Sequence, residues 1–142
     1  MVPGDRLAVY GSLRRPYDTR RLLGIDAMLA WLGPAVIPGR LHDLGTYPAL
    51  VDGTGRVAAD LFEVVSGDLA AVLDPFEGYN PDDEESSMYL RRLVWLVSPD
   101  VDAWVYLYRP EPPSGSIVAC SDWVSHLDAA GRQGTLGLAD GP

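Results

Sequence analysis

A short apolar run leads directly into a bend near the start of the chain, in the stretch Leu7-Ala8-Val9-Tyr10-Gly11-Ser12-Leu13-Arg14. The run is rich in β-prone residues and predicts a strand, and Gly11, which has no Cβ, lets backbone amides approach a bound group closely. Ser12 adds a hydroxyl, and Arg14 and Arg15 add positive charge. The stretch therefore predicts a strand that ends in a cradle for a carboxylate or a phosphate, with a plain turn as the alternative.

Length and charge narrow the class of protein. The chain has 142 residues, of which 47% are hydrophobic, and a formal net charge of −9. This length predicts one domain, which we place at residues 1–128, followed by a flexible C-terminal tail at 129–142. The negative charge opposes binding to nucleic acid or to an anionic membrane and favours small molecules as partners. No basic leader, apolar h-region or spanning run is evident, so we expect a cytoplasmic location.

The reactive side chains exclude several classes of enzyme. All eleven cationic side chains are arginines, so the chain has no lysine for a Schiff base, a P-loop or general-base catalysis. Cys120 is the only cysteine, which excludes an intramolecular disulfide, and we expect it to be a small buried hydrophobe. His42 and His126 lack metal-ligand spacing, so we expect no metal site.

Hydrophobic periodicity predicts two main helices and five strands. The first helix is predicted over residues 18–32, ending at Gly33-Pro34, and the second over residues 68–76, with Ser66 as its N-cap and Gly78 in the left-handed conformation after its end. Strands are predicted over the opening apolar run and over residues 35–44, 56–65, 89–97 and 101–108. The pattern predicts an α+β domain with a mixed, mostly antiparallel sheet that curls towards a barrel.

Three further segments have sequence patterns that indicate their secondary structure less strongly. The turn residues Asp52-Gly53-Thr54-Gly55 predict a break before the strand at 56–65. Residues 80–87 are strongly acidic and predict an exposed loop, with a metal site there as the less favoured alternative. A short turn or helix is predicted around residues 121–128.

A second candidate for chemistry follows the second predicted helix, in the stretch Leu73-Asp74-Pro75-Phe76-Glu77-Gly78-Tyr79. Glu77 is bracketed by two aromatic residues and is a candidate for partial burial, which would raise its pKa and suit it to proton exchange near neutral pH. The alternative is a solvated glutamate at a helix end. Asp74 competes for the same role, although its position before Pro75 favours a local turn or capping contact.

In their order and spacing, these motifs resemble the γ-glutamylcyclotransferase-like family, also called the AIG2-like family. The resemblance covers nearly all of residues 7–123. It is carried by Tyr10-Gly11-Ser12-Leu13, residues 44–51, residues 67–79, Tyr89-Leu90-Arg91, residues 103–106 and residues 117–123.

The resemblance implies a compact, barrel-like α+β fold whose cavity binds a γ-glutamyl group. It implies that Glu77, in the family's FEGY-like stretch, is the catalytic general acid and base. It also implies that the substrate is held by Tyr10, Gly11, Ser12, Leu13 and Tyr89. Tyr47 and Tyr79 are candidate pocket walls, or else plain core residues. We expect no cofactor and a small γ-glutamyl compound as the partner.

The implied reaction converts a γ-glutamyl amide into 5-oxoproline and a free amine. The α-amine of the substrate is the nucleophile, so one carboxylate acting first as base and then as acid is sufficient. Free γ-glutamyl amino acids, glutathione, γ-glutamylamines and a γ-glutamyl-protected biosynthetic intermediate all remain candidate substrates. The negative charge favours a cationic leaving amine.

Two other functions remain open at this point. One is a non-catalytic module that binds or senses a small molecule in the same cavity. The other is an anion-binding regulatory domain that holds a phosphate with the bend after residue 9 and with Arg14, Arg15, Arg20 and Arg21. A buried Glu77 favours the enzyme, because a binding pocket gains nothing from a desolvated carboxylate without a cation.

Overall fold

The apolar run at the start of the chain forms the central strand of one five-stranded sheet. In the computed structural model, which describes residues 1–132, β1 (Arg6–Val9) pairs antiparallel with β3 (Pro48–Val64) and parallel with β5 (Asp102–Tyr108). β2 (Leu29–Asp43) and β4 (Tyr89–Trp95) form the edges, so the strand order is β2-β3-β1-β5-β4. Ten residues of the predicted tail, 133–142, lie outside the described residues.

Within residues 1–132, three short α-helices accompany the sheet, and the predicted α+β class with a mixed, mostly antiparallel sheet is confirmed. The helices are α1 (Thr19–Leu22), α2 (Leu69–Phe76) and α3 (Trp123–Ala129), with single 3-10 turns at Asp26–Met28 and Glu84–Ser86. The predicted hairpin of β4 and β5 is confirmed.

Side chains of the sheet alternate between two hydrophobic cores, as successive residues of a strand must. Ala8 belongs to a core that includes Trp123 and Leu127 of α3, whereas Leu7 and Val9 belong to a core that includes residues of α2. Both faces of β1 are therefore buried, which explains why this strand reads as a continuous apolar run.

The predicted helix over residues 18–32 is wrong beyond its first turn. α1 ends at Leu22, and from Leu29 onwards the chain pairs with β3. The physical reason is tertiary: the apolar residues near position 30 gain a full ladder of hydrogen bonds against a long neighbouring strand, which outweighs their modest helix propensity.

β2 and β3 form one long hairpin, so the predicted break at residues 52–55 does not end the strand, but the pairing is interrupted there: the register passes from the pair Pro38 and Arg56 to the pair Arg40 and Val51. The register runs from the pair Leu29 and Val64 to the pair Asp43 and Pro48, with shifts between residues 31 and 33 and between residues 38 and 40. Gly39 lies at the second shift with a φ of +143°, and a Cβ there would lie 2.6 Å from the carbonyl oxygen of Val51. Gly39 therefore accommodates a bulge in a continuous hairpin.

Two smaller predictions are corrected. The N-cap residue of α2 is Asp68, without a side-chain cap, and Ser66 accepts a hydrogen bond from the Asp68 amide through Oγ at 3.2 Å. Cys120 is exposed and not buried, because it lies in a turn between the end of the sheet and α3.

The sheet is not a closed barrel, but its two edges approach each other. The Val36 amide of β2 donates to the carbonyl of Ser98, next to the β4–β5 turn, at 2.7 Å. The Val97 amide donates back to the Val36 carbonyl at 2.9 Å. The sheet is therefore curled, as predicted. Within residues 1–132, no helix has the length and apolarity needed to cross a membrane.

Candidate active site

Helix α2 carries Glu77 on the side of its two buried leucines. Leu69 and Leu73 precede Glu77 by eight and four residues, and residues four apart share one face of a helix. All three have 0% of their surface exposed. The alternative of a solvated glutamate at the helix end is therefore wrong, and burial is complete where the sequence predicted it in part.

The backbone after α2 fixes where Glu77 lies. Gly78 has a φ of +66°, so its predicted left-handed conformation is confirmed. The Tyr79 amide donates to the Asp74 carbonyl at 2.8 Å, and the Gly78 amide donates to the Pro75 carbonyl at 3.1 Å. These two bonds are those of a Schellman motif with Glu77 at its C-cap.

The bend after β1 is buried and held from several sides. Asp60 of β3 accepts from the Arg15 amide at 2.8 Å and from Arg14 Nε at 3.3 Å. Arg14 also pairs with Asp122, before α3, at 2.9 Å. Arg20 donates to the carbonyl of Leu13 at 2.6 Å. The loop is therefore fixed to the sheet and to α3 before any ligand binds.

Each arginine near the bend contacts another residue of the protein, which reduces the positive charge available to the anion-binding alternative. Arg14 is neutralised as described above. Arg20 lies 3.4 Å from Asp26 and Arg21 lies 3.2 Å from Asp18. The guanidinium of Arg15 stacks on the ring of Trp31 at 3.7 Å.

Residues 10–13 are each buried, but they do not all face the same side. Leu13 belongs to the core that contains Leu69 and Leu73, whereas the ring of Tyr10 belongs to the opposite core. The Tyr10 hydroxyl donates to the Tyr106 carbonyl at 2.6 Å. Ser12 has 0% exposed surface, and its Oγ makes no hydrogen bond within residues 1–132.

The predicted tyrosines lie against the same core as Leu13. Tyr89 is a buried member of it, donates through its hydroxyl to the Pro48 carbonyl at 2.6 Å and contacts Tyr47 edge to face, with 6.5 Å between ring centroids. Tyr47 and Tyr79 pack at its margin, and the Tyr79 hydroxyl donates to Glu84 at 3.0 Å. The structure thus brings the α2 segment, Leu13 and the three predicted tyrosines to one side of the sheet.

The sequence analysis did not predict a network of hydrogen bonds around the Asp74 carboxylate. Asp74 accepts from Arg91 through both carboxylate oxygens, at 3.0 and 3.1 Å, and from the Tyr106 hydroxyl at 2.6 Å. The local turn or capping role predicted for its side chain is therefore wrong. The tyrosine and the arginine lie in β5 and β4, distant from Asp74 in sequence, and the Tyr89-Leu90-Arg91 motif did not indicate a partner for Arg91.

Tyr106 links this network to Glu77 electrostatically. Burial of its ring, the hydrogen bond to Asp74 and the nearby charges of Asp74 and Glu77 all raise the pKa of the Tyr106 hydroxyl far above its usual range. The hydroxyl is therefore a permanent hydrogen-bond donor at physiological pH.

A cavity of about 580 Å³ opens along another side of α2. Of the predicted site residues, Tyr79 lines it, whereas Glu77 is buried and is not among its lining residues. The lining residues are Ala70, Ala71, Asp74, Pro75, Gly78, Tyr79, Asn80, Pro81, Ser86 and Ser87. Within the described part of the chain, no group of three or more His, Cys, Asp or Glu side chains is placed to hold a metal ion.

Comparison with known proteins gives a family match over most of the chain. The sequence model of the family described as "Gamma-glutamyl cyclotransferase, AIG2-like" matches residues 7–125. No curated protein matches the sequence.

Several solved structures have the same fold. Protein YtfP from Escherichia coli is 28% identical, with a TM-score of 0.62 over 84% of this chain and 96% of that chain. Protein PH0828 from Pyrococcus horikoshii is 21% identical, with a TM-score of 0.63 over 89% of this chain and 97% of that chain. An AIG2-like protein from Mus musculus is 22% identical, with a TM-score of 0.58 over 77% of this chain and 80% of that chain.

Proposed function

The chain belongs to the γ-glutamyl cyclotransferase, AIG2-like family, and we propose that it is an enzyme that cyclises a γ-glutamyl amide to 5-oxoproline and releases the free amine. One observation carries the proposal: Glu77 is completely buried on the inner face of α2, on the side of the sheet that also holds Leu13 and Tyr89. Carboxyl groups withdrawn from water are frequent proton-transfer groups in enzymes.

The chemistry needs a single proton-transfer group. In the proposed reaction Glu77 accepts a proton from the α-ammonium of the substrate, and the free amine then attacks the γ-carbonyl. A C–N bond forms to close the five-membered ring, which leaves the attacking nitrogen cationic. Glu77, having passed its first proton to solvent, takes the second proton from this nitrogen and gives it to the leaving nitrogen as the original amide C–N bond breaks, so that a neutral lactam and the free amine are released. The nucleophile and the carbonyl belong to the same molecule. For well-aligned groups, such an intramolecular attack corresponds to an effective molarity of roughly 10⁵ M or more.

The loop at residues 10–13 is proposed to hold the glutamyl end. Its backbone amides can bind the α-carboxylate or stabilise the developing oxyanion, and Ser12 offers a buried hydroxyl that makes no hydrogen bond within residues 1–132. Because Glu77, Ser12 and Tyr89 have no exposed surface, the core beside them has to open for the substrate to enter. A cytoplasmic location for this reaction stays a prediction from the sequence.

The direct test is to incubate the protein with a panel of γ-glutamyl compounds and to detect 5-oxoproline by mass spectrometry. We expect release from at least one compound and a loss of at least ~10²-fold in Glu77→Gln, the usual scale of general acid and base catalysis. The variant should fold and still bind ligand, as calorimetry can measure. Unchanged turnover in Glu77→Gln would remove this residue from the mechanism.

The same panel separates substrate classes. The net charge of −9 and the acidic run at residues 82–85 favour a cationic leaving amine, so γ-glutamyl-polyamine should turn over faster than γ-glutamylalanine at low salt. Equal rates would contradict this preference. Tight binding of a γ-glutamyl compound without any 5-oxoproline would favour the non-catalytic binding module.

A further inference from the structure

Tyr106 of β5 connects the two segments of the proposed site, which are the loop at residues 10–13 and the end of α2 with Glu77. Its carbonyl accepts from the Tyr10 hydroxyl at 2.6 Å, at the start of the loop that is proposed to hold the substrate. Its own hydroxyl donates to Asp74 at 2.6 Å, three residues before Glu77 in α2. One residue is thus hydrogen-bonded through its main chain to the loop and through its side chain to the segment that carries Glu77.

Asp74 is itself rigidly held. Arg91 binds both of its carboxylate oxygens in the bidentate geometry that orients a carboxylate most strictly, and the two side chains are only 15% and 13% exposed. The guanidinium lies 5.2 Å from the ring of Trp104 and 5.6 Å from the ring of Tyr79. The Asp74 carbonyl accepts from the Tyr79 amide in the Schellman motif, so both ends of this residue constrain the turn on which Glu77 lies.

We propose that Tyr106 is a positioning residue for the cyclisation, and that Asp74 and Arg91 hold it in place so that Glu77 keeps a fixed distance from the loop at residues 10–13. This inference rests on the proposed function, because it assigns Tyr106 a role in that reaction. Tyr106 does not transfer the proton. Its hydroxyl and carbonyl link the proton-transfer group to the loop that holds the substrate.

A positioning role predicts a specific kinetic change. Small displacements of a catalytic group are costly, on the order of 10²-fold for about 1 Å, whereas binding through the loop is unaffected. Tyr106→Phe and Asp74→Asn should therefore lower kcat by roughly 10- to 100-fold and leave KM within about threefold. Arg91→Lys, which keeps the charge but loses the bidentate fork, should give a smaller loss in the same direction.

Asp102→Asn is the matched control. Asp102 lies on the same strand as Tyr106 and pairs with Arg6 at 3.5 Å, but the two side chains are 44% and 39% exposed. This variant makes the same chemical change as Asp74→Asn at a surface ion pair, and its kcat and KM should stay within about twofold of wild type.

The double variant of Tyr106 and Glu77 distinguishes a positioning role for Tyr106 from a general structural role, because the kinetic losses of residues that act through each other do not multiply. If Tyr106 acts through Glu77, Tyr106→Phe should cause almost no further loss in the Glu77→Gln background. Losses that multiply in the double variant, or a rise in KM at unchanged kcat, would overturn the proposal.

A measurement without turnover distinguishes failure of this inference from failure of the proposed function. If wild type releases no 5-oxoproline, the proposed function fails, and the network is tested by the ¹³C NMR signal of the Glu77 carboxyl, assigned with Glu77→Gln. That signal should shift in Tyr106→Phe and Asp74→Asn but not in Asp102→Asn. An unchanged signal in all three variants would overturn the coupling itself.

Discussion

At the scale of single residues, Ser12 and Glu77 are both completely buried, one in the loop after β1 and the other at the end of α2. The flanking Phe76 and Tyr79 correctly indicated that Glu77 would leave water. Nothing local indicated that the Ser12 hydroxyl would be buried without a hydrogen bond inside residues 1–132. The partners of Asp74 were equally unpredictable, because Tyr106 lies 32 residues away and meets it only when α2 packs on the sheet.

Ser12→Ala should separate ligand binding from stability. Within residues 1–132 the substitution removes no hydrogen bond of Ser12 Oγ, so the free energy of unfolding should be unchanged or slightly higher. If the hydroxyl holds the glutamyl end, KM should rise roughly 10- to 150-fold, since a lost hydrogen bond to a charged group is worth roughly 1.5–3 kcal/mol. Urea unfolding and steady-state kinetics measure the two effects.

Ser87→Ala is the comparison variant for the stability of Ser12→Ala. Ser87 is also buried, but its Oγ accepts from the Asn80 amide at 2.9 Å and bonds to the Asp83 carbonyl at 2.9 Å. Its removal should lower the free energy of unfolding by about 1 kcal/mol or more. A Ser12→Ala variant as destabilised as Ser87→Ala would show that the Ser12 hydroxyl has a structural partner after all.

At the scale of elements, local patterns predicted the short strands, α2 and the later parts of β2 and β3, but they did not predict how early these two strands begin. The strands β4 and β5 have β-branched and aromatic residues on either side of a turn. Such a pattern predicts a hairpin from neighbouring residues alone. β2 begins inside a segment whose apolar spacing resembles a helix, and its strand conformation depends on pairing with residues up to 35 positions away, as in the pair Leu29 and Val64. Long-range pairing of this kind leaves no local signal.

The bulge in this hairpin makes a steric prediction. A Cβ at Gly39 would lie 2.6 Å from the Val51 carbonyl oxygen, and a Cβ at Gly55 would lie 2.5 Å from the Gly39 carbonyl oxygen. Gly39→Ala and Gly55→Ala should each lower the free energy of unfolding by more than about 2 kcal/mol, because backbone atoms have to move. Chemical denaturation monitored by circular dichroism measures the change.

Gly67→Ala is the control for the bulge. Among residues 1–132, a Cβ at Gly67 would have only Pro3 Cδ within 4 Å, at 3.9 Å, and the Gly67 backbone is not in the left-handed region. This variant should stay within about 0.5 kcal/mol of wild type. Equal stability of all three variants would mean that the two strands are not bulged at residue 39.

At the scale of the whole molecule, Asp43 joins the end of β2 to the last helix. It accepts from His126 of α3 at 2.8 Å and from Arg132 at 2.6 Å, and Arg132 also donates to the Gly45 carbonyl. Burial alone would raise the pKa of Asp43, but the hydrogen bonds from Arg132, His126 and the Gly45 amide outweigh it and lower the pKa to about 2. These contacts fix α3 against the far end of the hairpin.

The lowered pKa predicts how stability depends on pH. A carboxyl whose pKa falls from 3.8 to about 2 on folding stabilises the native state above pH ~4, and this contribution is lost as the pH falls towards 2. Asp43→Asn should therefore lower the free energy of unfolding by about 2 kcal/mol at pH 7, and the difference from wild type should shrink between pH 4 and pH 2.

Asp18→Asn provides the comparison for this pH series. Its ion pair with Arg21 is 3.2 Å long but both side chains are more than 60% exposed, so its removal should change stability little at any pH. A constant difference between Asp43→Asn and wild type from pH 7 to pH 2 would contradict the lowered pKa.

The sequence by itself determined the family, the α+β class, the first strand, α2 and the second hairpin. It could do so because these features depend on short-range order: an apolar run, a helical repeat, a turn, and motifs in a fixed sequence. Only the tertiary structure decided that residues 29–34 are a strand, that Asp74 is held by Arg91 and Tyr106, and that Arg14 and Arg20 fix the loop. Each of these depends on partners distant in sequence, which come within hydrogen-bonding reach only after the sheet has formed.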